Sequence, residues 1–116
     1  MAQKWCYLGA LGPQAELDWQ LPDGGNIPAS GTLPDVHDYE LWMAIRWMAD
    51  SGRFGGKIID WDAYGVKVNG PEVEQVLREV YAKQPDRLNQ EPISLYLDYA
   101  RVLGPDRYVA LVAVAI

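Results

Sequence analysis

The sequence predicts a single α+β domain. Its antiparallel or mixed sheet has four to five strands and carries two to three helices, mainly on one face. Three observations lead there. The C-terminal run 108–116 is wholly apolar or aromatic. Residues 69–83 carry a complete set of helix signals. Between the ends of the chain, strand-like and helix-like stretches follow one another without an internal repeat.

Residues 108–116 (YVALVAVAI) contain no Gly or Pro, and four of the nine are β-branched, which favours strand over helix. A half-buried strand would alternate apolar and polar residues. This one does not, so it reads as buried on both faces and central in the sheet. Tyr108, Ala110, Val112, Val114 and Ile116 fall on one face, and Val109, Leu111, Ala113 and Ala115 on the other.

Residues 4–11 read as a strand, broken by Gly12-Pro13. Leu17, Trp19 and Leu21 alternate with polar residues and suggest a short edge strand over 17–21. The stretch 22–34 (PDGGNIPASGTLP) holds three prolines and three glycines and follows neither helical nor strand period. An irregular segment of this length in a small domain is either a linker draped over the core or a functional loop.

Residues 35–50 predict a helix, with Thr32 or Asp35 as the cap and Ser51-Gly52 as the stop. At about 100° per residue, Leu41, Trp42, Ala44, Ile45, Met48 and Ala49 form one core-facing arc. Val36, Met43 and Trp47, with Tyr39 near them, fall on the opposite side among Glu40, Arg46 and Asp50. That apolar stripe on the polar side is the expected contact surface.

Residues 57–68 are rich in β-branched side chains and predict two short strands, 57–61 and 65–69, around an Asp62–Gly65 turn in which Gly65 takes the positive φ. A single bulged strand is the alternative. Asn69, Pro71 and Glu72 then form a helix start with a capping box, and Val73, Val76, Leu77, Val80 and Tyr81 keep a helical stripe. After a polar loop over 84–90, residues 93–103 fit a third helix. A strand is also compatible with their spacing, but the Gly104-Pro105 stop favours the helix.

Composition narrows the function classes. With 49% hydrophobic and 22% charged residues, the chain has the balance of a soluble globular protein. Its net charge of −6 and the absence of a Lys/Arg cluster argue against nucleic-acid binding. No apolar run reaches membrane-span length, so no membrane association is expected. Met1 to Lys4 lead straight into strand-like sequence without a secretory signal, and the one cysteine, Cys6, rules out an internal disulfide. A cytoplasmic setting is the expectation.

Candidate chemistry is sparse. Asp35, His37 and Asp38 bring the only histidine between carboxylates, but acids at a helix start are expected for capping and dipole reasons. Asp60 and Asp62 stand two apart, the spacing of a paired-carboxylate site and equally of a turn border. Cys6 lies inside a strand, where a thiol is usually inert. No phosphate-binding glycine motif and no nucleophile elbow occurs. No metal and no cofactor is therefore expected.

The five tryptophans and seven tyrosines exceed what a core of this size needs and suit an interface. The function expected is that of a small acidic binding protein of inhibitor, immunity or accessory type, acting on another protein or as a homodimer. The alternative is a small enzyme or ligand-binding protein. Its cleft would be covered by the 22–34 loop and lined by Asp35, His37, Asp60, Asp62 and tryptophans.

Overall fold

The computed structural model describes residues 3–9, 31, 33–60 and 62–115, without the Asp60 side chain. The predicted strand 17–21 and most of the predicted 22–34 loop lie outside these residues. Strand β1 (Lys4–Gly9) is followed by helix α1 (Tyr39–Ser51), strands β2 (Lys57–Asp60) and β3 (Ala63–Asn69), helices α2 (Gly70–Val80) and α3 (Ile93–Leu103), and strand β4 (Tyr108–Ala115). The four strands make one antiparallel sheet in the order β1-β4-β3-β2.

β4 is interior, as its unbroken apolar sequence requires. It pairs with β1 from Lys4 opposite Ala115 to Gly9 opposite Ala110, and with β3 from Ala63 opposite Val114 to Asn69 opposite Tyr108. Both of its faces are used. Val109, Leu111 and Ala113 enter the main core with Cys6 and Leu8 of β1 and Tyr64, Val66 and Val68 of β3. Ala110 and Val112 are buried with Tyr7 on the opposite face, where Ile59 and Val114 pack against them.

The helices lie against the main core. α1 touches all four strands, α2 touches β3, and α3 packs on α2. The capping box at α2 forms as expected. The Asn69 side chain accepts from the Glu72 backbone N–H, and the Glu72 carboxylate accepts from the Asn69 N–H, each at 3.0 Å. Gly70 is required next to it. Its N–H donates to the Gly104 carbonyl at 2.9 Å, and a Cβ there would sit 2.2 Å from the Ala100 carbonyl oxygen. The start of α2 and the end of α3 thus meet backbone to backbone. Residues 93–103 are helical, and Ile93, Tyr96, Leu97, Ala100 and Leu103 are buried.

Three boundaries depart from the sequence reading. α1 begins at Tyr39 rather than Asp35, and its cap is Asp38 rather than Thr32 or Asp35. The β2–β3 turn is tighter than predicted: β3 already starts at Ala63, Gly65 sits buried within the strand, and Asp62 carries the positive φ of 51°. The irregularity of the bulged alternative survives as a register shift between Ile58 and Asp60. α2 ends at Val80, three residues early, with Tyr81 as its C-cap.

Burial also sets the acid–base behaviour of the tyrosines. The Tyr7 phenol is pushed up to about 12 by burial and by the Asp35 carboxylate. Tyr81 and Tyr96 are also raised. Burial is the main cause in both, followed by the hydrogen bond to Asp38 for Tyr81 and the charge of Asp35 for Tyr96.

Two predictions follow from this packing. Leu77 is fully buried in mid-stripe on α2, and Leu77→Ala should lower stability by about 2–4 kcal/mol in denaturant melts. For the tyrosines, folded-state values above the ordinary 10 mean that their contribution is intact below pH 10 and is lost as pH rises toward 12. Phenolate absorbance from these rings should therefore rise together with loss of circular dichroism. Ionisation in the ordinary range with the fold intact would contradict their burial.

Candidate functional site on the outer face of helix α1

What faces outward on α1 is decided at its N-cap, Asp38. Asp38 is 7% exposed, and its carboxylate accepts four hydrogen bonds. One oxygen takes the backbone N–H groups of Glu40 (2.9 Å) and Leu41 (3.2 Å), which is an N-cap. The other takes the Tyr81 hydroxyl at 2.8 Å and the Arg87 guanidinium. Arg87 also lies over the Tyr81 ring, 5.3 Å from its centre. A buried carboxylate is tolerated only with its lone pairs filled, and here they are filled from three separate parts of the chain.

The segment before the cap is held just as firmly. Val36 exchanges two backbone hydrogen bonds of 2.8 Å with Cys6, extending the outer edge of β1 by one residue. Its side chain is 3% exposed and belongs to the main core. Tyr96 donates to the Pro34 carbonyl at 2.6 Å. The chain thus enters α1 extended, which is why the helix cannot begin at Asp35.

With the start fixed, Leu41, Trp42, Ile45, Met48 and Ala49 turn inward. The indole N–H of Trp42 donates to the Val114 carbonyl at 3.0 Å, tying mid-helix to the central strand. Lys4 and Arg46 lie over the Trp42 ring, 5.2 and 6.0 Å from its centre. They also reach Tyr39 and Tyr64, at 6.0 and 5.4 Å. The result is a ladder of alternating rings and cations down one flank of the helix.

On the solvent side stand Tyr39 and Trp47, 63% and 70% exposed. Met43, midway between them, is half-buried against the core. The spacings of four residues put all three on one stripe. Glu40, Arg46 and Asp50 border the stripe and are exposed. Beside Trp47, between α1 and α2, lies a cleft of about 240 Å³ lined by Ala44, Met48, Val76 and Val80. The bidentate pair of Arg53 with Glu79, two contacts of 2.9 Å, forms its rim.

Of the four residues predicted for the contact surface, two stand in solvent. Tyr39 and Trp47 are exposed, Met43 is shared with the core, and Val36 is neither on the helix nor accessible. Leu33, a few residues before the helix, packs against the main core.

The weaker catalytic candidates do not gather in one place. The His37 ring rests on the Trp5 ring at 4.8 Å, tilted by 32°. Asp35 and His37 are exposed on the segment that borders β1. Asp62 is exposed in the β2–β3 turn. The path from one to the other crosses β1, β4 and β3, three strand spacings or about 14 Å between backbones. Asp60 ends β2 opposite Ala63. Cys6 is fully buried and its thiol is pushed up, by burial first and then by Asp38, the reverse of an activated nucleophile. Among the described residues, no group of three or more His, Cys, Asp or Glu is placed to hold a metal ion, and no helix is long and apolar enough to cross a membrane.

Sequence reasoning missed Asp38 as the hub and its partners Tyr81 and Arg87. The local signal was present, since Asp38 stands one residue before the helix. The long-range partners, 43 and 49 residues away, left no periodic trace. No family model, curated protein or solved structure matches the chain, so function has to be argued from its own residues.

The Asp38 cluster generates a prediction. Asp38→Ala removes the cap and strands the Arg87 and Tyr81 donors, and should cost about 2–4 kcal/mol. Tyr81→Phe removes one hydrogen bond and should cost about 1–2 kcal/mol. Chemical denaturation of both variants checks the order. Equal losses would mean that the cap and the Arg87 contact contribute nothing beyond the Tyr81 bond.

Proposed function

We propose that this chain is a small acidic interaction domain acting through contact with another protein or with a second copy of itself, and that the outer face of α1 carries the contact. One observation supports this most directly: Trp47 and Tyr39 are 70% and 63% exposed on a helix whose core face is complete without them. Leaving large aromatic side chains in water forgoes about 1.5–3 kcal/mol of burial energy for each. Trp and Tyr are also the residues that most often dominate binding energy at interfaces. The half-buried Met43 gives the patch a compliant centre, and the charged residues beside it supply a polar rim of the kind interfaces have.

The cleft next to Trp47 adds to this reading. It has an apolar floor and a charged rim, so it suits an apolar side chain of a partner better than a polar metabolite. The proposal includes a cytoplasmic setting. Its support is the single cysteine, buried as a free thiol.

The test uses a photoreactive side chain at Asp50, exposed beside the stripe, in the expressing cell. Irradiation should give a discrete adduct, with this chain or with another protein. Trp47→Glu should abolish the adduct and change stability by less than about 0.5 kcal/mol, as expected of a surface position. Val102→Glu, at a residue 74% exposed on α3, should leave the adduct intact. The proposal fails if no adduct forms, if it survives Trp47→Glu, or if Trp47→Glu unfolds the domain.

A further inference from the structure

We draw no further inference here: the strongest candidate, the open groove of about 830 Å³ between α2 and α3 floored by Gly70, Ala100 and Gly104, has both carboxylates that line it already paired, Glu74 with Arg78 and Arg101 and Glu79 with Arg53, and nothing in the structure shows what covers it.

Discussion

A buried carboxylate constrains this fold more than any other single group. Asp38 sits where water cannot solvate it, so its charge must be met by donors held in place. Those donors come from the first turn of α1, from the C-cap of α2 and from the short helix Pro85–Asn89. Three segments far apart in sequence are thereby locked into one arrangement. The Asp38 carbonyl extends the same junction. It accepts from the Trp42 N–H at 3.0 Å and lies 4.0 Å from the Cys6 sulfur. A hydrophobic core alone tolerates sliding of a helix over a sheet. Four directional bonds to one side chain do not.

The rotation of α1 follows from this junction, and the exposed stripe follows from the rotation. Once Tyr39 is the first helical residue and Trp42 is tied to Val114, each later side chain has a fixed direction. Leu41, Ile45 and Met48 must face the sheet, and Tyr39 and Trp47 must face away. A different rotation that buried Trp47 would pull Ile45 out of the core and break the Trp42 bond. The exposure of these aromatics is therefore built into the fold, and no small rearrangement of α1 relieves it.

The parts legible in the sequence were those where local signals agree with the tertiary structure. β4 is apolar on both faces because it has neighbours on both faces. α2 shows its cap and its stripe because the residues of each lie within a turn of their neighbours. The start of α1 was not legible. Val36 falls on the helical grid by coincidence, and both Asp35 and Asp38 are good caps. What separates them is the Cys6–Val36 bridge, which spans thirty residues of sequence. The β2–β3 turn was misplaced for a related reason. Gly65 looked like the residue for positive φ, but the pairing of β3 with β4 runs straight through it, and Asp62 takes that conformation instead. On the predicted stripe, Tyr39 and Trp47 are exposed where the helix exists, and Val36 is buried ahead of it.

The distribution of polar and apolar groups bears on function in a consistent way. Groups with chemical potential inside the protein are already committed: Asp38 to four donors, Tyr81 to Asp38, Tyr96 to Pro34, and the Cys6 thiol to a setting that keeps it protonated. Burial raises the Cys6, Tyr81 and Tyr96 groups above their ordinary values, which keeps them protonated at neutral pH. The exposed titratable candidates, His37 and Asp62, are separated by the width of three strands. The outside of α1 shows the opposite pattern. There, large apolar groups lack cover among the described residues while their neighbours Lys4 and Arg46 are held by ring contacts rather than by carboxylates. Polar groups turned inward to hold the fold, with aromatic side chains turned outward on α1, are the distribution on which the proposed interaction role rests.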